Sequence, residues 1–319
     1  MWCATFQVAW NRLRDDVFKG PLLIANAESV VNRLNDSTVT EAVLPSDSYF
    51  AAAGRTKDGI IGTIQREMAQ KFPDAQPPNF SGAVGFVTYG YLDTKVTFTT
   101  PFTDTKQPLR FLDATGVERS VSGFGLHEGK ERFLLRDQAD QVKVLFSQKG
   151  NQSDPVLKPT AFALDLTADQ SDQQVIVAVL PRAEQLHTAL DDLARRIEEH
   201  APDKYGAKLR GIDTLGIPNV VFDVNHEYTE IQGVDKTVNN PGEFHGLYIH
   251  KAFQSIRLRF DKSGAAVVSE SGVYSMAAPR HFIVDRPFLI VMKQRSADEP
   301  YFVAWIDNTE FLEVYQNVE

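Results

Sequence analysis

The sequence FIVDRPFLIVM at residues 282–292 is the stretch of this chain that discriminates best between folds. The residues Asp285, Arg286 and Pro287 are typical of a turn, because proline fixes φ and aspartate hydrogen-bonds to the local backbone. An unbroken apolar run follows at residues 288–292, and such a run predicts a buried strand. The stretch therefore predicts a turn that feeds a core strand close to the end of the chain.

Length and charge exclude several classes of protein. At 319 residues with 43% hydrophobic content, the chain is long enough to bury a large core. Its 33 Lys and Arg against 42 Asp and Glu give a net charge of -9. Nucleic acids and anionic membranes are bound through concentrated Lys and Arg, so neither is predicted as a partner. No run approaches the ~20 apolar residues of a membrane-spanning helix, so a soluble protein is predicted.

A single cysteine, Cys3, cannot form an internal disulfide, so cysteine usage does not indicate the cellular compartment of the protein. The first residues lack the basic, apolar and small-residue segments of a signal peptide, which favours the cytoplasm. A signal removed before this numbering begins would leave the same sequence, so secretion stays an alternative. Beside Trp2 on a predicted packed helix, Cys3 is expected to be a buried thiol and not a nucleophile.

Three stretches repeat apolar residues at steps of three and four, which predicts helices with one buried face. They are Trp2, Phe6, Trp10, Leu13 and Val17; Ile60, Ile61, Ile64, Met68 and Phe72; and Leu186, Leu190, Leu193 and Ile197. A shorter helix is predicted at residues 27–34 with Asn26 as its cap.

The remaining periodicity is closer to two and predicts strands. The predicted strands are residues 83–91, 142–146, 162–166, 175–180, 220–224, 256–260, 288–292 and 301–306. The pattern predicts a single α+β domain over residues 1–319, with large mixed or antiparallel sheets and with helices concentrated towards the N-terminus.

Several stretches resemble the serpin family, in the family's order along the chain. They are residues 86–102 with their closing FTTPF, the Val179-Leu180-Pro181 step, IPNVVF at 217–222, His250-Lys251-Ala252, the Asp285-Arg286-Pro287-Phe288 turn and the closing strand at 301–306. The resemblance covers roughly residues 55–310 and implies a serpin-like fold. Four features depart from it: Gly90 stands where the family has Asn, Phe98 stands where it has Trp, no Ser-Pro-x-Ser segment follows the first helix, and the N-terminal helical region is abbreviated. The polar hub around which the family's large sheet opens is therefore in question.

The resemblance also implies a reactive loop. With Gly264 as the hinge, Ala265 and Ala266 are small enough to enter a sheet, whereas the branched and charged residues at 267–270 fit an inserted strand poorly. The spacing leaves two alternatives open: a hinge before Gly264, or a short loop. The exposed bait is expected at residues 273–278.

The bait residues suggest a specificity. Among Tyr274, Ser275, Met276 and Ala277, the large apolar side chains of Tyr274 and Met276 suit a chymotrypsin-like pocket. Arg280 would suit a trypsin-like pocket but lies very near the following strand.

The sequence predicts a monomer that is not an enzyme and has no cofactor or metal. The resemblance implies a serine protease as its partner, which it would inhibit, or another protein if the scaffold is a non-inhibitory binding module. A hydrolase is a third alternative, poorly supported because His226, His245 and His250 lack helical His-Glu-x-x-His spacing and no serine lies in a Gly-x-Ser-x-Gly turn.

Overall fold

The structure is a computed structural model, and it describes residues 1–76, 79–126, 136–148, 157–168, 172–203, 206–210, 212–263 and 279–316. Its α-helices are α1 (Ala4–Arg12), α2 (Glu28–Asp36), α3 (Ile60–Lys71), α4 (Arg136–Asp140) and α5 (Leu186–Glu199). A π-helix, Leu13–Phe18, continues α1, and 3-10 turns occupy Glu41–Val43 and Thr56–Asp58. The second and third amphipathic helices predicted from the sequence are confirmed. The first is confirmed from Phe6 onwards and changes from α to π geometry after Arg12, but Trp2 and Cys3 form a short strand and not the start of the helix. None of these helices is long and apolar enough to span a bilayer.

The described strands are β1 (Trp2–Cys3), β2 (Tyr49–Arg55), β3 (Phe86–Lys95), β4 (Thr103–Asp104), β5 (Leu109–Leu112), β6 (Glu118–Val121), β7 (Gly123–Leu126), β8 (Lys143–Gln148), β9 (Ala161–Asp165), β10 (Gln173–Val179), β11 (Thr214–Pro218), β12 (Val220–Glu227), β13 (Ile249–Phe260), β14 (His281–Ile283), β15 (Phe288–Gln294) and β16 (Phe302–Ile306). Every strand predicted from periodicity matches one of these elements. The mixture of helices and sheets confirms the α+β class.

The predicted cap of α2 is wrong. Ala27, not Asn26, occupies the cap position. Asn26 has a φ of 59°, in the left-handed region that asparagine tolerates better than most residues, and its amide donates to the carbonyl of Asp235 at 2.8 Å. Asn26 therefore forms a turn and not a cap.

By its internal contacts the chain divides into two compact units. The first contains Met1–Trp2, Lys95–Phe222 and Leu258–Glu319, and the second contains Cys3–Thr94 and Asp223–Arg257. The expectation of one domain over residues 1–319 stays a prediction.

The largest sheet of the first unit has the strand order β1-β16-β15-β10-β9-β8. Its centre is the antiparallel pair β10 and β15, with Val177 opposite Ile290. Helix α5 packs on one face of this sheet through Ala189 and Leu193. Fully burying a side chain such as Leu contributes about 1.5–3 kcal/mol, so this face accounts for much of the unit's stability.

The stretch at residues 282–292 joins two sheets of the first unit. β14 lies parallel to β11 in the sheet β14-β11-β7-β4, and β15 lies between β10 and β16 in the larger sheet. Phe282 and Phe288 are fully buried on either side of the turn. Arg286 holds the turn by donating to the carbonyls of Pro159 and Thr160 at 3.2 and 2.9 Å. The predicted turn and buried strand are both confirmed.

The second unit is built on the sheet β12-β13-β3-β2, which has a helix on each face. Successive side chains of a strand point to opposite faces, so β3 contributes to two separate cores. Phe86 packs with Phe6 and Trp10 of α1. Val87 and Tyr89 pack on the other face with Ile64 and Met68 of α3, together with Phe50, Phe72, Phe80 and Phe253.

Gly90 is required by the approach of α1 to this sheet. A Cβ at Gly90 would lie 2.8 Å from the carbonyl carbon and oxygen of Thr5 and 2.9 Å from the nitrogen of Phe6. These are backbone atoms of α1, which cannot move aside as a flexible side chain can. The departure from the family's Asn at this position therefore has a steric cause.

We expect Gly90→Ala to destabilise the protein by about 1–3 kcal/mol, the usual cost of overpacking a core. Gly62→Ala is the matched control: Gly62 lies in α3, and a Cβ added there would meet nothing within 4 Å, so the gain in helix propensity should stabilise the protein by about 0.5–1 kcal/mol. Urea unfolding of the two variants measures both effects. Equal midpoints for the two variants would contradict the steric explanation.

Candidate functional site

The predicted reactive-loop residues lie outside the described residues. They are Gly264, Ala265, Ala266, Tyr274, Ser275, Met276 and Ala277. The structure instead describes what lies on both sides of them, Ser263 before and Pro279 after, and the sheet to which β13 belongs. The chain on these two sides, which belongs to the first unit, defines the candidate site.

The chain before Gly264 is held by the turn that follows β3. The backbone nitrogen of Phe98 donates to the carbonyl of Ser263 at 3.0 Å, and that of Phe102 donates to the carbonyl of Lys262 at 3.1 Å. Phe98 is fully buried, with its ring 6.1 Å from the ring of Phe260, the last residue of β13. The phenylalanine that replaces the family's tryptophan therefore packs against the end of β13, and hydrogen-bonded backbone continues to Ser263.

An open groove of about 860 Å³ lies at this end of the site. Its lining includes Lys95 at the end of β3, Phe102 in the turn, and Ser263. Lys262 forms an ion pair with Asp104, which also lines the groove. The groove thus lies directly beside the point at which the chain continues to Gly264.

The chain after Pro279 is anchored by a buried ion pair cluster, the Asp213 clamp, made of Asp213, Arg210 and Arg280. The side chain of Asp213 is fully buried. Its Oδ2 accepts from Nη2 of Arg280 at 2.7 Å, and its Oδ1 accepts from Nη2 of Arg210 at 2.8 Å. Burial alone would raise the pKa of Asp213, but the hydrogen bonds from Arg210 and Arg280 hold it below its ordinary value. The clamp therefore stabilises the folded state at neutral pH and weakens as the pH falls through that depressed pKa.

β13 and β3 are direct neighbours in the sheet. In the second unit the backbone nitrogen of Phe86 donates to the carbonyl of Tyr248 at 3.4 Å, and in the first unit that of Val96 donates to the carbonyl of Arg259 at 3.3 Å. From Phe86 of β3 to Val96, just after its end, the bonded residue of the other chain segment advances from Tyr248 to Arg259, so the two strands run parallel. Along these residues no other strand lies between β3 and β13.

Three aromatic side chains bridge β3 and β13 on the face covered by α3. We call Phe80, Tyr89 and Phe253 the aromatic bridge. The ring centroids are 5.4 Å apart for Phe80 and Phe253, 5.0 Å for Tyr89 and Phe253, and 6.2 Å for Phe80 and Tyr89. All three side chains are buried. Phe80 thus contacts both strands at once and favours their direct pairing.

Further along the same face, a charged contact also links the two strands. Arg257 of β13 lies 3.6 Å from a carboxylate oxygen of Asp93, and the Tyr91 hydroxyl donates to Asp93 at 3.0 Å. Burial is the main cause that raises the pKa of Tyr91 to about 12, so its hydroxyl keeps its proton as a donor at neutral pH. Arg257 and Asp93 are both more than one third exposed, so the ion pair itself contributes little.

A buried polar cluster lies on the opposite face, where α1 packs. The Gln254 side chain of β13 donates to the Thr5 hydroxyl at 2.6 Å and to the Cys3 carbonyl at 3.2 Å, and it accepts from the Tyr228 hydroxyl at 3.0 Å. Burial raises the pKa of the Cys3 thiol to about 11 and raises that of Tyr228 as well. Cys3 is confirmed as a buried thiol. This polar cluster connects β13 to α1 by residues that the sequence analysis did not identify.

The histidines weighed as metal ligands are dispersed. His226 stacks edge-on against Tyr228 at 4.6 Å, and the ring of His250 lies 6.0 Å from that of Tyr248. Within the described part of the chain, no group of three or more His, Cys, Asp or Glu side chains is arranged to hold a metal ion.

No protein-family model and no curated protein sequence matches the chain. Solved serpin structures match it over nearly its whole length. Native protease nexin-1 with heparin aligns with a TM-score of 0.52 at 9% identity, over 96% of this chain and 97% of that one. Serpin-12 of Manduca sexta aligns with a TM-score of 0.50 at 14% identity, over 96% and 83% of the two chains. Serpin48 of the insect Tenebrio molitor aligns with a TM-score of 0.51 at 13% identity, over 96% and 89%. At these identities the likeness concerns the fold alone, and it shows that this chain has a divergent serpin-like fold.

Proposed function

We propose that this chain engages a serine peptidase through residues 264–280 and inhibits it by inserting part of that segment between β3 and β13. The observation that carries the proposal is the direct parallel pairing of β3 with β13, the strand that leads into the segment. A strand that entered between them would break the hydrogen-bond ladder that joins β3 to β13. It would form two new ladders, one with each of these strands. The fold neighbours support the proposal, because they include a serine protease inhibitor of Manduca sexta.

The proposed reaction begins as ordinary proteolysis. The peptidase serine attacks a carbonyl carbon within residues 264–279, the peptide bond breaks, and the new amino terminus leaves with a proton. An ester then joins the serine oxygen to the remaining acyl group. If the freed segment enters the sheet before water attacks the ester, it carries the peptidase away from its catalytic geometry and the ester persists.

A non-inhibitory protein-binding module is the second candidate, and a specific observation favours it. The aromatic bridge on one face and the buried polar cluster on the other both hold β13 in its present position. The sequence adds to this resistance. Val268 and Glu270 would face the same side of an inserted strand and Val267 the other, and a branched or charged side chain that faced a packed interior would cost packing or desolvation. On this alternative the scaffold binds a partner and the segment is cleaved as a simple substrate.

We expect chymotrypsin to form a covalent complex with the protein that survives SDS, because the ester outlasts denaturation. The control is the double variant Ala265→Arg/Ala266→Arg. Neighbouring side chains of a strand face opposite sides, so one of the two arginines would always point inward and block insertion. The variant should be cleaved without a complex. Cleavage of the wild type without any complex would rule out trapping and favour the second candidate.

Thermal unfolding after a single cut within residues 264–279 provides a second test. An inserted strand of about ten residues, at about 1 kcal/mol net for each hydrogen bond, would add several kcal/mol and raise the midpoint by about 10 °C or more. Calorimetry of the nicked and intact chains measures the shift. The nicked Ala265→Arg/Ala266→Arg variant should show no rise, and an unchanged wild-type midpoint would mean that the segment does not insert.

The aromatic bridge predicts a difference between two Phe→Ala variants. Phe80 contacts both Tyr89 of β3 and Phe253 of β13. Phe72, in the same core, lies edge-on to Tyr91 of β3, with ring centroids 4.8 Å apart. Either truncation costs about 3–5 kcal/mol. At matched global stability, Phe80→Ala should raise amide hydrogen exchange in β3 and β13 by about tenfold more than Phe72→Ala. Equal exchange in the two variants would show that Phe80 does not hold the two strands together.

A further inference from the structure

Arg280 is the only basic residue among residues 264–280. Peptidases of the trypsin class need Lys or Arg in an acidic primary pocket, whereas chymotrypsin and elastase accept apolar side chains in theirs. The environment of Arg280 therefore bears on which class of peptidase the segment can engage.

Four hydrogen bonds hold the side chain of Arg280, all to partners within the first unit. In addition to the bond from Nη2, its Nε donates to Oδ2 of Asp213 at 3.0 Å. Its Nη1 donates to the carbonyl of Gly206 at 2.7 Å, and its Nη2 also donates to the carbonyl of Lys208 at 2.5 Å. The side chain is 13% exposed. To enter a peptidase pocket, Arg280 would have to leave a fully buried carboxylate without a main partner, which is strongly unfavourable.

The peptide bond after Arg280 is held as firmly as the side chain. The carbonyl of Arg280 accepts from the nitrogen of Thr214 at 2.8 Å, and the nitrogen of His281 donates to the carbonyl of Leu157 at 2.9 Å. The nitrogen of Arg280 itself donates to Asp213 at 2.8 Å. Both the carbonyl and the nitrogen of this peptide bond are therefore hydrogen-bonded, and cleavage there requires local opening of the strand.

We propose that the Asp213 clamp withholds Arg280 from proteolysis and so restricts the chain to peptidases with an apolar primary pocket. This inference rests on the proposed function, since it names the class of peptidase that the same segment engages. The apolar side chains available before Pro279 include Tyr274 and Met276. On this proposal Arg280 does not bind in a trypsin-like pocket.

Limited proteolysis of the intact wild-type protein tests the class assignment. Chymotrypsin or elastase should cut within residues 264–279, and trypsin should not cut after Arg280, with each cut located by mass spectrometry. In a urea series, trypsin cleavage after Arg280 should begin only at the concentration at which the chain unfolds. Cleavage after Arg280 in the native protein, or a covalent complex with trypsin through that residue, would overturn the proposal.

The role of the clamp is tested with Asp213→Asn, which keeps the shape of the side chain and removes its charge. We expect trypsin cleavage after Arg280 to become more than about tenfold faster, because the opened form is more populated. Asp165→Asn is the matched control in the same unit. Asp165 is also buried, with a side chain 1% exposed, and pairs with Arg295 at 2.9 Å far from Arg280 in the sequence. At matched global stability, Asp165→Asn should leave the rate of trypsin cleavage after Arg280 within about twofold of the wild-type rate.

The outcomes separate this inference from the proposed function. Unchanged cleavage after Arg280 in Asp213→Asn would overturn the clamp. If Asp213→Asn does not fold, the wild-type urea series decides the matter alone. Cutting by chymotrypsin within residues 264–279 without an SDS-resistant complex would refute inhibition but leave the class assignment standing. No cut within residues 264–279 by chymotrypsin or elastase would refute the class assignment.

Discussion

The direct pairing of β3 with β13 is the constraint on which the proposed function depends. Insertion of a strand of about ten residues between them replaces one ladder by two, a net gain of about one hydrogen bond for each inserted residue at about 1 kcal/mol each. Against this stand the three ring contacts of the aromatic bridge, about 0.5–1.5 kcal/mol each, and any strain on the bonds that join Gln254 to Thr5. Both contributions amount to several kcal/mol. The side chains that hold β13 therefore bear on whether the sheet opens, in addition to the pairing of its strands.

The close packing of α1 on the sheet accounts for the glycine at position 90 and for the polar contacts of β13. α1 approaches β3 so closely that Gly90 has no room for a Cβ, so no side chain at that position can reach across the sheet. The buried polar groups are supplied instead by Thr5 and Tyr228, which meet Gln254 of the neighbouring strand. A buried amide left without partners would cost about 1–3 kcal/mol, so these bonds favour the present position of β13.

Much of the fold could be predicted from the sequence, because buried strands such as β10 and β15 are long runs of branched apolar residues. β2 was missed because its residues at 51–53 are alanines, which do not carry a strand signal. Their small size reflects packing: Arg12 donates to the carbonyl of Ala51 at 2.6 Å, so α1 comes close to this strand. The site was harder to predict. Asp213 and Arg280 are 67 residues apart, and Thr5 and Gln254 are 249 apart, so neither pair leaves a local pattern. Only the flanking motifs around Phe98 and Asp285 indicated where the site lies.

The two ends of the segment at residues 264–278 are held by interactions of different strength. At Ser263 the anchors are two neutral backbone bonds, from Phe98 and Phe102, and local bonds from Ser263 to Asp261. The ion pair of Lys262 with Asp104 beside the open groove is largely exposed and adds little. The neutral backbone bonds contribute about 0.5–1.5 kcal/mol each and are easily exchanged for others of the same kind. At Arg280 the anchor is the buried carboxylate of Asp213, which would keep only Arg210 as a cationic partner if Arg280 left. Removing one partner of a buried ion pair costs up to about 3–5 kcal/mol. Tension along the segment would therefore release the Ser263 end first. Because that end follows β13 and lies beside the end of β3, the release would occur where a new strand would have to begin pairing.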